Sequence, residues 1–237
     1  MKAMILAAGE GRRMRPLTQH TPKPLLKAGG ITLLERHIVA LRDAGINDIV
    51  INAAYLAEQI VAFCGDGSRW GVRIAVSVEA HALETAGGII NALPLLGASP
   101  FILLNGDVFC DFPLTRFSTQ AVPERGAHIL LVNNPAHNKT GDFVLDGQAV
   151  KDPHMKNRHK GATENAVPRP TLTYSGLGVY DPRFFYGYSA GKRPLKPLMD
   201  TAIAQGRLQG THWQGQWLDV GTPERLARLD ATLSGAS

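Results

Sequence analysis

Apolar and polar positions along the chain follow two different patterns. Residues 3–8, 49–51 and 101–104 are short continuous apolar runs, typical of strands that are buried on both faces of a sheet. Residues 72–78 instead alternate apolar and polar side chains. Alternation with a period of two is typical of a strand with one covered face. The pattern therefore predicts several strands within the first half of the chain.

Amphipathic helices separate these strands. Thr32 and Glu35 form a capping box, and apolar side chains at helical spacing follow it until Gly45, a helix stop. A last helix is predicted from Thr222, with Pro223 at its first helical position and leucines on one face. The other predicted helices cover residues 56–63, 84–93 and 195–205.

The order of these elements predicts the fold class. Strand and helix alternate to about residue 132 as βαβαβαβαβ, which is typical of an α/β fold with a doubly wound, mostly parallel, Rossmann-like sheet flanked by helices. Strand-rich segments at 127–132, 142–150 and 171–180 then indicate a small antiparallel extension for the acceptor side of a site. Ligands of such sheets bind beyond the carboxyl ends of the strands, so we expect the functional residues there.

Composition narrows the class of protein. The chain is 44% hydrophobic and 19% charged, without charge blocks or low-complexity tracts, which excludes an intrinsically disordered protein. Two cysteines are too few for a disulfide framework, so a reduced, cytoplasmic setting is expected. The apolar start is shorter than a secretory signal, and no run approaches the roughly 18 residues of a membrane helix. We therefore expect neither a signal peptide nor a membrane span.

Net charge indicates the kind of partner. Lys and Arg number 25 against 20 Asp and Glu, and the formal net charge of +5 favours an anionic partner. Nucleic acid, acidic lipid and a phosphorylated small molecule all satisfy this charge. The chain lacks a basic helix and an aromatic stacking platform, so nucleic acid ranks last.

The strongest chemical signal lies directly after the first strand. Gly9 and Gly11 stand in a loop whose neighbouring basic residues are Arg12, Arg13, Arg15 and Lys23. Glycines let backbone N–H groups approach phosphate oxygens, and clustered cations concentrate positive potential. The loop lacks the Gly-Lys-Ser/Thr of a P-loop, and Met14 stands where a dinucleotide fingerprint has its third glycine. It predicts a polyphosphate site, and a surface turn with solvated arginines is the alternative.

With these motifs the chain resembles the sugar-nucleotide pyrophosphorylases, a family of nucleotidyltransferases. Residues 6–18 match the opening of that family as LAAGEGRRMRPLT, and residues 22–26 match as PKPLL. The match continues at residues 83–88, 105–107 and 217–222, so it covers nearly the whole chain. The resemblance implies transfer of a nucleotidyl group from a nucleoside triphosphate to a sugar 1-phosphate, with release of pyrophosphate.

The resemblance also implies roles for residues of the nucleotide side. Arg13 would neutralise the leaving pyrophosphate and Lys23 would contact the reacting phosphoryl groups, so these two and Asp107 are the expected catalytic residues. Such a transfer crowds anions together and needs electrostatic clamps more than covalent chemistry. The expected nucleotide-binding residues are Ala8, Gly9, Gly11, Arg12, Arg13, Lys23, Glu79 and Gly88.

Glu79 and Gly88 occupy positions that face the base in the family. An exposed charge at a strand end is the alternative for Glu79, and a helix-entry turn is the alternative for Gly87 and Gly88. These positions do not decide between uracil, thymine and guanine.

Two aspartates are candidates for a metal site. Asp107 follows the strand 101–104, and Asp219 lies in the apolar segment 217–220. Carboxylates at strand ends suit a hydrated Mg²⁺ that takes one or two protein ligands. A turn or a helix cap explains either aspartate taken alone, but the resemblance assigns Mg²⁺ to both.

The acceptor side resembles a narrower group, the N-acetylmuramate-1-phosphate uridylyltransferases, through Asn105 and the segment 141–143. Asn105 and Asp142 would hold hydroxyl or amide groups of the sugar, and Lys196 would hold its phosphate. Lys192 and Arg193 are the neighbouring candidates for that contact. The implied reaction joins UTP to N-acetylmuramate α-1-phosphate and gives UDP-N-acetylmuramate in peptidoglycan recycling.

Two further features complete the expected site. The basic segment 151–170 departs from the family pattern, and we expect it to form a lid over the sugar phosphate, with Glu164 as a candidate sugar ligand.

The eight histidines form no catalytic or zinc-binding pattern, and His37 is expected at the edge of the core. Covalent catalysis is therefore not expected.

The whole chain, residues 1–237, is then expected to be a single nucleotidyltransferase domain. Residues 1–132 would form its nucleotide-binding half, and residues 133–237 its sugar-phosphate half and C-terminal helix. We expect a cytoplasmic, Mg²⁺-dependent monomer or small homo-oligomer, with neither nucleic acid nor membrane as a partner. The alternatives are mannose 1-phosphate with GTP, glucose 1-phosphate with dTTP, and a nucleotide-sensing module without turnover.

Overall fold

The computed structural model describes residues 1–154 and 169–235. The strands are β1 (Lys2–Leu6), β2 (Lys27–Ala28), β3 (Ile31–Thr32), β4 (Asp48–Ala53), β5 (Arg73–Val78), β6 (Phe101–Asn105), β7 (Val108–Cys110), β8 (Ala127–Val132), β9 (Phe143–Asp146), β10 (Ala149–Lys151), β11 (Thr171–Tyr180), β12 (Leu208–Trp213) and β13 (Trp217–Asp219). The helices are α1 (Leu33–Asp43), α2 (Ala57–Cys64), α3 (Glu84–Leu96), α4 (Thr115–Ser118), α5 (Lys196–Ala204) and α6 (Pro223–Ser234).

A nine-stranded sheet carries the fold. Its strand order is β5-β4-β1-β6-β11-β8-β12-β10-β9. Strands β5, β4, β1 and β6 are parallel neighbours, and β8 and β12 form another parallel pair. This confirms the predicted α/β fold. The sheet as a whole is mixed, because its first four strands are parallel and the pairings around β11, β10 and β9 are antiparallel. Strands β7 and β13 form a separate antiparallel ladder, and β2 and β3 form another.

Both faces of the sheet are covered, as the apolar run of β1 predicts. Successive side chains of a strand point to opposite faces. Ile5 accordingly lies in the apolar cluster that contains Ile38 of α1, whereas Met4 lies in the cluster that contains Ile89 of α3. The two clusters fix the carboxyl end of β1. They thereby fix the start of the loop that carries Gly9 and Gly11, here named the glycine loop.

The predicted antiparallel extension is part of this same sheet. Strand β11 lies between β6 and β8 and is antiparallel to both, and β9 and β10 extend the far edge. Residues 175–180 of β11 are all buried, so this stretch needs cover on both faces. That burial accounts for its position inside the sheet, where it joins the nucleotide side to the acceptor side.

The helix signals of the sequence are mostly confirmed. Thr32 Oγ1 accepts a hydrogen bond from Glu35 N at 3.0 Å, whereas the Glu35 carboxylate accepts from the Trp70 indole. The capping box is therefore only half formed. Helix α3 continues beyond its predicted end at Leu93 and runs through Pro94 to Leu96.

The C-terminal helix packs beneath the glycine loop. Leu229 of α6 lies in a small apolar cluster with Met14, Leu33 and Val220. The backbone N–H of Gly29 donates to Asp230 Oδ1 at 2.8 Å on the same side of the helix. Helix α6 thus contributes to the shape of the loop although the two are far apart in sequence.

Most of the predicted lid, residues 151–170, falls on residues 155–168, which lie outside the described residues, and Glu164 lies among them. Among the helices that the structure describes, none combines the length and the hydropathy needed to cross a membrane.

Replacing Leu229 with alanine tests the role of α6. Leu229 is 1% exposed, so Leu229→Ala should lower the free energy of unfolding by about 2–4 kcal/mol, measured by urea denaturation. Leu95→Ala, at a leucine that is 38% exposed, is the control and should cost less than about 1 kcal/mol. Equal costs for the two variants would contradict this packing.

Candidate active site

A cleft opens at the carboxyl ends of β1, β4 and β6, where the sequence places the site. Its volume is about 230 Å³. Four of the predicted site residues near these strand ends, Ala8, Gly9, Asn105 and Asp107, line it together with Lys23. The other lining residues are Leu6, Ala7, Pro24, Asn52, Ala82, Glu84 and Thr85.

The glycine loop leaves backbone accessible in this cleft. No atom lies within 4 Å of the point where a side chain on Gly9 would begin. Gly11 has φ +62°, and a Cβ there would lie 3.0 Å from Thr18 Cγ2 and 3.2 Å from Lys23 Cβ. Glycine at position 11 therefore serves the conformation and the close approach of Lys23, and glycine at position 9 keeps the cleft open.

A buried polar network holds the start of this loop. Asn52 Oδ1 accepts from the backbone N–H of Ala7 at 2.8 Å, and Asn52 Nδ2 donates to Glu79 Oε1 at 2.7 Å. Glu79 Oε2 accepts from the backbone N–H of Leu83 at 3.0 Å. The network ties the ends of β1, β4 and β5 to the start of α3, so it fixes the cleft from three sides.

Gly88 lies directly against this network. A Cβ at Gly88 would lie 2.6 Å from Asn52 Nδ2 and 2.8 Å from Glu79 Oε1, closer than real Cβ contacts come. The small residue therefore lets α3 approach the Asn52–Glu79 hydrogen bond. Glu79 is 4% exposed, so it is not the exposed strand-end charge that was the sequence alternative.

Lys23 and Asp107 form an ion pair in the cleft. Lys23 Nζ lies 2.5 Å from Asp107 Oδ2, with the lysine side chain 10% exposed and the aspartate 39% exposed. Asp107 Oδ1 accepts no hydrogen bond from the residues that the structure describes. The nearly buried cation thus faces a carboxylate that is still open to solvent on one side.

The second aspartate lies beside the first. In the β7–β13 ladder Asp219 is paired with Val108, and the backbone N–H of Val220 donates to Asp107 O at 2.7 Å. Arg225 Nη1 donates to both oxygens of Asp219, at 2.5 and 2.6 Å. The ladder therefore places the backbones of two aspartates next to each other although they are more than one hundred residues apart in sequence.

Arg13 completes the group of charges. A Cβ at Gly221 would lie 3.3 Å from Arg13 Nη2 and 3.3 Å from Asp219 Oδ2, so the Arg13 guanidinium lies near the second carboxylate. Arg13 itself is exposed and has no hydrogen-bond or ion-pair partner among the described residues. Together with Lys23 and Arg225 it gives three cations against two carboxylates, a surplus that suits an anionic ligand.

Asp107 and Asp219 fit a magnesium ion. Mg²⁺ prefers one or two carboxylates and completes its six ligands with water and phosphate oxygens. The two carboxylates are therefore the candidate donors, and no cluster of three or more His, Cys, Asp or Glu side chains suited to a metal occurs in the described part of the chain. Asp107 retains a free oxygen, whereas both oxygens of Asp219 accept from Arg225.

His37 adds no charge to the site. Desolvation lowers the pKa of His37 to about 4, although the nearby Asp107 carboxylate opposes the shift. The ring is therefore neutral at pH 7. His37 is partly buried, which agrees with the prediction of a residue at the edge of the core.

Comparison with known proteins gives the family. A family model described as nucleotidyl transferase matches residues 2–234. The chain belongs to the nucleotidyl transferase family. The predicted resemblance is confirmed at this level, and the cleft at the strand ends is the candidate active site of a family member.

Relatives and solved structures agree with this assignment. The chain is 48% identical over 241 residues to N-acetylmuramate alpha-1-phosphate uridylyltransferase of Neisseria meningitidis serogroup B, covering 100% of this chain and 99% of that protein. It is 30% identical to mannose-1-phosphate guanylyltransferase catalytic subunit beta of Xenopus tropicalis, covering 94% of this chain and 62% of that protein. A Bacillus anthracis crystal structure assigned as a glucose-1-phosphate thymidylyltransferase matches the fold with TM-score 0.82 and 22% identity, covering 100% and 96% of the two chains.

Some predicted residues of this nucleotidyl transferase lie away from the cleft lining. Arg12 is exposed and pairs with Glu10, whose pKa the guanidinium lowers. Lys196, the first residue of α5, pairs with Asp200 four residues later on the same helix. Lys192 Nζ lies 3.4 Å from Oε1 of Glu84, which lines the cleft. A direct contact of Arg12 or Lys196 with substrate stays a prediction.

Both oxygens of the Asp142 carboxylate accept hydrogen bonds within the protein. Its Oδ1 accepts from Asn138 Nδ2 at 3.0 Å and its Oδ2 accepts from the backbone N–H of Tyr174 at 2.9 Å. The neighbouring Asn105 is covered by Gly176 of β11, where a Cβ would lie 2.6 Å from Asn105 Nδ2. Binding of sugar by Asp142 and Asn105 stays a prediction.

Three residues of the site were missed by the sequence analysis. Asn52 is a polar residue near the carboxyl end of a buried strand, the position where ligand-binding residues are expected, so its signal was available. Arg225 stands three residues after the cap Thr222, where a capping box has Glu or Gln, and this departure was also visible. His137 was assigned no role, because its contacts are with residues more than eighty positions away.

Replacing Gly88 with alanine tests the network. Gly88→Ala should lower the free energy of unfolding by about 1–3 kcal/mol and weaken nucleotide binding, although alanine favours a helix by about 1 kcal/mol. The cause is the clash with Asn52 and Glu79. Urea denaturation and calorimetry with UTP measure the two effects.

The double variant is the control for this contact. In an Asn52→Ala background the clashing amide is gone, so Gly88→Ala should add much less to the loss of stability. An equal cost in both backgrounds would show that Asn52 is not the group that Gly88 accommodates.

Proposed function

We propose that this protein transfers the uridylyl group of UTP to N-acetylmuramate α-1-phosphate, giving UDP-N-acetylmuramate and pyrophosphate. The observation that carries the proposal is the 48% identity to the Neisseria uridylyltransferase over essentially the full length of both chains. The guanylyltransferase relative is 30% identical and longer than this chain, which ranks mannose 1-phosphate with GTP second.

The proposed reaction is a displacement at phosphorus. A phosphate oxygen of the sugar 1-phosphate attacks the α-phosphorus of UTP, and the bond from that phosphorus to the bridging oxygen of the β-phosphate breaks. Pyrophosphate leaves with the electron pair of the broken bond. Attack requires two anions to meet, so the cations of the cleft lower the barrier by neutralising them.

Lys23 and Arg13 are suited to different parts of this charge. Lys23 is nearly buried at the base of the cleft, where its ammonium can contact the phosphoryl group that reacts. Arg13 is exposed beside Gly221 and without a protein partner, so its guanidinium is available for the leaving pyrophosphate. The backbone N–H groups at Gly9 and Gly11 would bind the remaining phosphate oxygens.

A magnesium ion held by Asp107 and Asp219 would supply additional positive charge and fix the orientation of the phosphates. Before substrate arrives, Lys23 and Arg225 neutralise these carboxylates at 2.5 Å. The phosphates of a nucleoside triphosphate would give Lys23 other anionic partners. The Lys23 ammonium would then remain paired when the Asp107 carboxylate binds the magnesium ion.

The rest of the cleft is suited to the base and the sugar. Glu84 and Thr85 at the start of α3 line the cleft together with Lys23 and Asp107. Asn105 lines it as well and lies against Gly176 of β11. A nucleotide in this cleft would therefore place its α-phosphate next to the Lys23–Asp107 pair.

Pyrophosphate release across a grid of nucleoside triphosphates and sugar 1-phosphates tests this function. UTP with N-acetylmuramate α-1-phosphate should give the highest kcat/KM, and removal of Mg²⁺ with a chelator should abolish release. Preference for GTP with mannose 1-phosphate or for dTTP with glucose 1-phosphate would replace the proposed pair. Binding of nucleotide without release from any pair would favour a nucleotide-sensing module.

Asp107→Asn tests the carboxylate. The amide keeps the shape of the side chain but removes the charge that pairs with Lys23, so pyrophosphate release should fall by about 100-fold or more. The near-UV circular dichroism spectrum should remain that of the wild type. Glu58→Gln, which removes one exposed carboxylate on α2, is the control and should retain full activity. Normal turnover in Asp107→Asn would rule out its assigned role.

A further inference from the structure

The Asp219 carboxylate is held by two residues that the family resemblance does not assign. Arg225 Nη1 donates to both of its oxygens, and His137 Nε2 lies 3.3 Å from Oδ1. The side chains of Asp219 and Arg225 are 22% and 20% exposed. We propose that Arg225 is the positioning residue of Asp219, and that His137 connects this pair to the acceptor side.

Helix energetics alone do not favour arginine at this position. Arg225 lies in the first turn of α6, three residues after the cap Thr222. A cation there faces the positive end of the helix dipole, which is unfavourable. The close contact with Asp219 offsets this cost, so the arginine is explained by its partner.

The local backbone is shaped to admit the contact. A Cβ at Gly221 would lie 3.0 Å from Arg225 Nη1 and 3.3 Å from Asp219 Oδ2. Any larger residue between the carboxylate and the helix would push the guanidinium away. The same glycine leaves Arg13 Nη2 within 3.3 Å of that point, so two guanidinium groups lie beside one carboxylate.

His137 links this cluster to the acceptor side of the sheet. Its neighbour Asn138 donates to Asp142 Oδ1 at 3.0 Å and to Thr173 Oγ1 of β11 at 3.2 Å. His137 Nε2 also lies 3.5 Å from Arg225 Nη1. Nε2 donates to Asp219 when it carries a proton and accepts from Arg225 when it does not, so either tautomer maintains the connection.

Two roles for Arg225 predict opposite results. If the guanidinium only neutralises Asp219, it competes with a divalent cation, and its removal should strengthen metal binding. If it fixes the direction of the carboxylate, its removal should weaken metal binding, as loss of residues that orient metal ligands generally does. The inference rests on the proposed function, because it takes Asp219 as a metal ligand.

Calorimetric titration with the Mn²⁺ complex of UTP tests the inference without turnover. Arg225→Gln should bind Mn²⁺–UTP about tenfold more weakly than the wild type, and its affinity for metal-free UTP should fall much less. The affinity of Arg225→Lys, which keeps the charge, for Mn²⁺–UTP should lie between that of the wild type and that of Arg225→Gln. Arg228→Gln is the matched control on the same helix, because its side chain has no partner among the described residues, and it should match the wild type.

His137→Gln tests the connection to the acceptor side. It should raise the KM for the sugar 1-phosphate severalfold and leave the binding of metal-free UTP unchanged. If urea denaturation shows that Arg225→Gln is not folded, His137→Gln still tests the cluster around Asp219. An unchanged KM would overturn the role of His137.

Unchanged or tighter binding of Mn²⁺–UTP by Arg225→Gln would overturn the role of Arg225. Failure of the inference can be distinguished from failure of the proposed function. Wild-type protein that binds Mn²⁺–UTP but releases no pyrophosphate from any pair contradicts the function alone, and the comparison of variants still decides the inference.

Discussion

Charge neutralisation around two aspartates is the constraint on which the site depends. The β7–β13 ladder brings the backbone of Asp219 next to the segment that follows Asp107, so two negative charges belong to one region of the site, where like charges repel each other. Lys23 and Arg225 offset this repulsion, each at 2.5 Å from one carboxylate. Both pairs are partly buried, so removal of either cation would leave a carboxylate without compensation in a site of low dielectric constant. The surplus positive charge of Arg13 then faces the open cleft.

The sheet and its helices hold these charges at fixed positions. Strand β1 is anchored by apolar clusters on both of its faces, and its end begins the glycine loop. The Asn52–Glu79 network connects that loop to the start of α3, and α6 brings Arg225 to the opposite side. A nucleotidyl transfer needs positioned charge more than a reactive side chain. Rigid elements on three sides of a narrow cleft meet this need.

Local sequence signals predicted the principal strands and helices of the first half of the chain and the principal charged residues, but not β12. Lys23 and Asp107 were found because each belongs to a contiguous motif next to a buried strand. The position of β11 inside the sheet was not predicted, because pairing between distant strands leaves no local periodicity. His137 was missed for a related reason, since its contact with Asp219 depends on how the loop 133–142 meets β13 and α6 in the fold. Arg225 is only six residues from Asp219, so this contact is local. The partners of Arg12 and Lys196 are local as well, at two and four residues' separation, so both pairs could have been predicted from the sequence.

The reverse reaction tests the central claim most directly, because it requires the cleft to bind the nucleotide sugar and pyrophosphate together. Purified protein should convert UDP-N-acetylmuramate and pyrophosphate into UTP and N-acetylmuramate α-1-phosphate when Mg²⁺ is present, as detected by mass spectrometry. UDP-N-acetylmuramate that stays intact, with GDP-mannose or dTDP-glucose cleaved instead, would contradict the proposed substrate pair. No cleavage of any nucleotide sugar would contradict the account of the cleft as a site of nucleotidyl transfer.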